Sequence, residues 1–325
     1  MMEIQENNQS RSNEPKSAVS TPQLAIAALI LSSLTGAIFF TDVSFPKTPA
    51  AVAAADFATE DVPDPFFGMM LEARSAIAVD LRSGEVLYER NPDVQLPLAS
   101  IAKIALILSI APVMDPEEYI LLANGAYSVG SSDHLEAGER WLVKDVIDYT
   151  LLGSSNGGSI ALAAAADASL RVLYPDAKSN EATLYAMNVL VDELGLEHTY
   201  FLNTSGLDED GIVSGAYGSA RDVAKLLARA LASTKLFSST AQEKLVVWEA
   251  RGGKAAVAFN TNEALPVIPG LILGKTGLTD LAGGNLAIVF EPEPAHAIAV
   301  VVLGSTQEGR FHDMEELVRR IRDSL

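Results

Sequence analysis

Residues 75–103 read SAIAVDLRSGEVLYERNPDVQLPLASIAK, and the way this stretch divides decides the fold. SAIAVDL (75–81) and EVLYER (85–90) are strand-like runs joined by Arg82-Ser83-Gly84, the pattern of a β-hairpin. After a polar, proline-containing link, Ser100 opens SIAKIALILSIAPVM (100–114). That run is apolar almost all round, so it predicts a helix buried at the centre rather than one lying on a surface.

Helical periodicity continues through WLVKDVIDYTLLG (141–153), SIALAAAADASLRVL (159–173), EATLYAMNVLVDELG (181–195) and ARDVAKLLARALAST (220–234), so the region from 98 to 250 is expected to be mostly helical. Strand-like runs return only late, as GLILGKT (270–276), NLAIVFEP (285–292) and HAIAVVVLG (296–304). An amphipathic helix over 313–325 follows, with Met314, Leu317, Val318, Ile321 and Leu325 on one face, expected to pack on the sheet rather than on a membrane surface. A hairpin formed early must therefore pair with strands formed late. The expected fold is α/β (α+β), an antiparallel sheet flanked by helices with a mostly helical second lobe, and a cleft between the two.

The N-terminal part reads differently. Residues 1–23 are polar and expected to be disordered, and LAIAALILSSLTGAIFF (24–40) is seventeen residues without a charge, at the short end of what spans a bilayer. Arg11 and Lys16 precede it and acidic residues follow, which favours a transmembrane anchor with the N-terminus inside. A cleaved signal segment is the alternative, given AAVAAAD at 50–56. Residues 41–69 are then a linker and 70–325 the folded domain, outside the cytoplasm in either case.

Composition narrows the chemistry. The net charge of −19 argues against nucleic acid as a partner. Cysteine is absent, which removes disulfides, thiolate catalysis and Cys-ligated metals, and the four histidines are scattered. No metal or cofactor is expected, and catalysis falls to Ser, Lys, Asp, Glu or backbone groups.

Three short motifs sit where the blocks join. Ser100-Ile101-Ala102-Lys103 places an amine three residues from a hydroxyl on one helix face, among Ile104, Leu106 and Ile107, where the neutral amine is favoured. By itself this is weak: Ser44-Phe45-Pro46-Lys47 has the same pattern, discarded because a proline interrupts the helix. Ser154-Ser155-Asn156, followed by two glycines, is ordinarily a capping turn, yet it can aim a hydroxyl and an amide from one loop. Lys275-Thr276-Gly277 ends an apolar strand, where a lysine beside a glycine suits an anionic ligand, or else a solvated strand end.

Together, and in this order, the motifs resemble those of the serine-type D-Ala-D-Ala carboxypeptidases, the low-molecular-mass penicillin-binding proteins. SAIAVDLRSGEVLYERNPDVQLPLASIAK, YFLNTSGL (200–207), SARDVAKLLARAL (219–231) and GKTGLTDLAGGNLAIV (274–289) are similar to further stretches of the family, so the likeness covers roughly residues 70–310. It implies a β-lactamase/transpeptidase-like fold and cleavage of peptidoglycan stem peptides through an acyl-enzyme. Ser100 would be the nucleophile and Lys103 its base, Ser154 a proton relay and Asn156 the holder of the substrate amide. Lys275 and Thr276, beside Gly277, would take the terminal carboxylate, and the N–H groups of Ser100 and Leu278 would form the oxyanion hole. β-Lactams would be covalent inhibitors.

Ala102 departs from the threonine frequent in the family, and the chain stops soon after the last strand, without the extra β domain of many family carboxypeptidases. That also fits endopeptidases that cut cross-links. Two other readings are a serine β-lactamase and a non-catalytic anchored scaffold that binds wall peptides. The β-lactamase would need a glutamate four residues before an asparagine, whereas Glu197 precedes Asn203 by six.

Overall fold

In the computed structural model the described residues are 64–122 and 135–325. The polar tail, the apolar stretch 24–40 and most of the expected linker lie outside them. Among the described residues, no helix is long and apolar enough to cross a membrane. Residues 64–69, expected as the end of the linker, are packed onto the fold: the rings of Phe66 and Tyr88 are 5.1 Å apart, and Arg320 donates to the Pro65 carbonyl.

The early hairpin and the late strands make one antiparallel sheet. Its strands are β1 (Ser75–Asp80), β2 (Val86–Arg90), β3 (Leu271–Thr279), β4 (Gly283–Glu293) and β5 (His296–Ser305), in the order β3-β4-β5-β1-β2. The register pairs Ser75 with Leu303 and Asp80 with Ile298. Both faces are covered, which is why these strands read as apolar runs rather than strict alternations. Ile77, Val79, Val289, Val301 and Leu303 face the helical lobe, while Ala76, Ala78, Ile288, Phe290, Val300 and Val302 face the C-terminal helix.

The helices are α1 (Ala102–Ile110), α2 (Val143–Leu152), α3 (Asn156–Leu173), α4 (Ala182–Glu193), α5 (Ala220–Leu231) and α6 (Gly309–Ser324). Every residue of α1 is buried, including Lys103. A helix apolar on all sides has no solvent face to choose, and it lies among α2, α3, α4 and α5.

Several boundaries differ from the sequence expectation. Ser100 sits in a 3-10 turn, Ala99–Ile101, that precedes α1 instead of opening it. Trp141 and Leu142 belong to a short strand, Arg140–Leu142, paired with Tyr119–Leu121. The helical block does not run to 250: Lys244–Trp248 and Ala255–Phe259 form a two-stranded ribbon, which gathers the β-branched and aromatic residues Val246, Val247, Trp248, Val257 and Phe259. The helix α6 starts four residues early, and Leu325 is 54% exposed, outside the apolar face.

Met314, Leu317, Val318 and Ile321 fill the far side of the sheet. Leu317→Ala should therefore cost about 2–5 kcal/mol in urea unfolding, whereas Leu325→Ala should stay within about 0.5 kcal/mol.

Candidate active site

The fold brings the three motifs to one place, and each comes from a different kind of element. The Lys103 Nζ is 2.7 Å from Ser100 Oγ, 2.8 Å from Asn156 Oδ1 and 3.0 Å from the Ser205 carbonyl. Ser100 comes from the turn before α1, Asn156 from the first position of α3, and Ser205 from the loop between α4 and α5. In the middle motif, both readings of the cluster are realised by different residues. Ser155 caps α3, accepting from the Gly158 N–H at 2.8 Å, while its neighbours Ser154 and Asn156 turn toward the lysines.

Lys275 is neither at the end of its strand nor solvated, as the sequence suggested. The strand continues to Thr279, and Lys275 is buried in its middle at 2% exposure. Its Nζ donates to Ser154 Oγ at 2.8 Å and to the Thr276 carbonyl at 2.9 Å. Burial pushes the Lys275 ammonium well below its ordinary value, and the charges of Lys103 and Arg310 push the same way. The Thr276 hydroxyl meets that of Thr261 at 2.6 Å.

Backbone strain collects at two of these positions. Ala99 has φ 49° and Ser154 φ 59°, the left-handed region that non-glycine residues avoid at a cost of about 1–3 kcal/mol each. Around Ala99 the chain is hemmed in by backbone. A side chain on Gly206 would overlap the Ala99 carbonyl, and one on Gly277 would place a carbon 2.7 Å from the Leu98 carbonyl oxygen. Both glycines are therefore needed for close approach.

Four residues that complete the site were missed by sequence reasoning. Asn203 takes the N–H groups of Ser205 and Gly206 on its Oδ1, which presents the Ser205 carbonyl to Lys103. Thr261 reaches Thr276 from the end of the two-stranded ribbon. Arg310, in the first turn of α6, is 6% exposed and donates from Nη1 to the Gly277 carbonyl at 2.8 Å. Asn285, fully buried in β4, donates to the Pro97 and Leu98 carbonyls. The last had a visible signal: an amide standing directly before LAIVF, where a buried strand offers it no water. Arg310 carried none.

The peptide between Gly277 and Leu278 is oriented by Arg310. In a trans peptide the carbonyl and the next N–H point in opposite directions, so the Leu278 N–H is aimed away from the guanidinium. Leu278 itself is 43% exposed. The arrangement thus joins a hydroxyl in contact with an amine, a second amine in contact with a second hydroxyl, and two hydroxyl or N–H donors along one strand. This is the equipment of acyl transfer by a serine nucleophile.

Comparison with known proteins agrees with this geometry. A sequence profile described as D-alanyl-D-alanine carboxypeptidase matches residues 59–306. The chain is 32% identical, over 74% of its own length and 59% of the relative's, to the D-alanyl-D-alanine carboxypeptidase DacF of Bacillus subtilis. It is 29% identical to a D-alanyl-D-alanine endopeptidase of Pseudomonas aeruginosa, covering 70% of this chain and 71% of that one. Among solved structures, a penicillin-binding protein of Listeria monocytogenes in its cefotaxime-bound form superposes with a TM-score of 0.65. It is 25% identical, and the likeness covers 78% of this chain and 98% of that one. The chain spans about three fifths of the length of the curated carboxypeptidases it matches. Motifs, fold and profile coincide over the same residues, and the chain belongs to the D-alanyl-D-alanine carboxypeptidase family.

Proposed function

We propose that this chain is a serine D,D-carboxypeptidase that removes the terminal D-alanine of peptidoglycan stem peptides through an acyl-enzyme on Ser100. The observation that carries this reading is the 2.7 Å contact between Ser100 Oγ and the buried Lys103 Nζ. A neutral amine has two N–H groups and one lone pair. In that form, which Lys103 must take to act as base, Asn156 Oδ1 and the Ser205 carbonyl would take the two N–H groups and leave the lone pair for the Ser100 hydroxyl.

From there each step has a residue. Ser100 Oγ attacks the carbonyl carbon of the D-Ala-D-Ala bond while its proton passes to Lys103. The N–H groups of Ser100 and Leu278 receive the oxyanion, and losing one such donor costs about 100- to 1000-fold in rate. Ser154, tied to Lys275, relays the proton to the departing D-alanine amine, and Asn156 keeps the substrate amide in register with Lys103. The terminal carboxylate rests against Lys275, Thr276 and Gly277, with the Arg310 charge adding to the local positive potential. Water then hydrolyses the ester and frees Ser100.

A β-lactam presents a strained amide and a carboxylate in the same relation, so the same groups would accept it as a covalent inhibitor. The binding of cefotaxime by the Listeria relative supports this. The Pseudomonas endopeptidase supports a second substrate, the D,D cross-link, which differs only in the amine that leaves. The reading also puts the domain outside the cytoplasm, tethered by the uncharged run 24–40. Support comes from the basic residues before that run and the acidic ones after it.

The decisive test incubates the full chain with a pentapeptide monomer and with a cross-linked dimer, followed by mass spectrometry. Loss of one alanine from the monomer is expected; cleavage of the dimer alone would make the enzyme an endopeptidase. Ser100→Ala should abolish both reactions and all labelling by a fluorescent penicillin, and equal labelling of the variant would remove Ser100 as nucleophile.

The state of Lys275 predicts two pH dependences. Only its charged form pairs with a carboxylate, so KM for a peptide with a free terminus should climb as pH rises through the lowered value, below the ordinary 10.5. For stability, the unfolded chain binds this proton up to 10.5 while the folded chain releases it earlier, so stability rises with pH across that window. Lys275→Met should accordingly raise the melting temperature at neutral pH, with the gain shrinking toward pH 10.5, while turnover is lost.

A further inference from the structure

Asn285 stands on β4 opposite Gly277 of β3, and its side chain is fully buried. Its Oδ1 accepts from the Gly304 N–H at 2.8 Å, and its Nδ2 donates to the Pro97 and Leu98 carbonyls at 3.0 and 3.1 Å. The partners fix which end of the amide is which. Turned over, it would face oxygen to two carbonyls and N–H to N–H. Both amide protons are therefore committed to the two residues that lead into the Ala99–Ser100 turn.

That turn needs holding. Ala99 lies in the left-handed region, a conformation kept only where its surroundings over-determine it. The Leu98 N–H is tied to the Ala216 carbonyl at 2.9 Å, and the Leu98 carbonyl also takes the Ile101 N–H at 3.3 Å to close the 3-10 turn. Asn285 adds the tie to the sheet. It lies across the ladder from the strand that carries Lys275, Thr276 and the Leu278 N–H. One buried amide thus ties the turn before Ser100 to the sheet, beside the direct packing of Gly277 on Leu98.

We propose that Asn285 is a positioning residue for acylation, holding the turn before Ser100 in register with the Lys275–Leu278 strand. The proposal rests on the reading of Ser100 as nucleophile. Asn285 hydrogen-bonds neither Lys275 nor Thr276, which are held by Ser154, Thr261 and their own strand; its bonds run to Pro97, Leu98 and Gly304. Its loss should slow bond formation and leave ground-state binding in place.

The test uses the full chain and three replacements: Asn285→Asp, which keeps the acceptor for Gly304 but loses the donors, Asn285→Ala and Asn285→Cys. Penicillin acylation is resolved into a noncovalent dissociation constant and a first-order acylation constant, each per folded molecule as measured by the melting curve. The expected result is a fall of about 10- to 100-fold in the acylation constant, with the dissociation constant within about threefold of wild type. A variant with a lowered melting temperature but a wild-type acylation constant would reduce Asn285 to a structural role and overturn the proposal. So would a weakened dissociation constant with acylation unchanged. Failure of the wild-type chain to acylate would instead sink the reading of Ser100 itself.

Discussion

An amine buried in an apolar helix sets the terms for the rest of this protein. Lys103 lies in α1, where every neighbour along the helix is buried, and its nitrogen has no water to fall back on. It must be satisfied by the protein, and three hydrogen-bond partners come from three separate segments: the turn before α1, the start of α3 and the loop after α4. The helical lobe can be understood as the frame that brings these segments within 3 Å of one point. A buried polar group satisfied from several directions specifies its surroundings, because moving any one partner leaves an unmet group behind.

The second amine shows the complementary strategy. The bonds of Lys275 run to a hydroxyl and a carbonyl, and it stands near two further basic groups, Lys103 and Arg310. A buried ammonium beside two further basic groups is costly in the free protein, and that cost is relieved when an anion enters. The site is thereby tuned to a ligand that carries its negative charge at one end. Stability is traded for recognition at this strand, as strained backbone is traded for geometry at Ala99 and Ser154.

Much of this was legible in the sequence. The hairpin at 75–90 and the late strands implied a sheet closed across a helical insertion, and the three motifs carried their own chemistry because each depends on residues close in sequence. What could not be read was whatever depends on contact between distant segments. A charge usually stops a buried strand, so Lys275 reads as a strand end, whereas the strand continues to Thr279. The ribbon at 244–259 is hard to read because KLVVW and AAVAF are short, mostly apolar runs that suit either state. Arg310 looked like any surface arginine of an amphipathic helix, and only the fold turns it inward onto the Gly277 carbonyl.

The register of β1 against β5 has a consequence for how such a chain is made. Ser75 pairs with Leu303, so one of the two edges of β1 waits for a partner encoded more than two hundred residues later. Until then a strand that is buried on both faces in the finished molecule carries an open row of N–H and C=O groups. The helical lobe is built from local contacts and can gather first, while the sheet must wait for its last strand. A chain cut short before His296 therefore carries an adhesive edge, which makes the synthesis of His296–Ser305 the step that separates folding from aggregation.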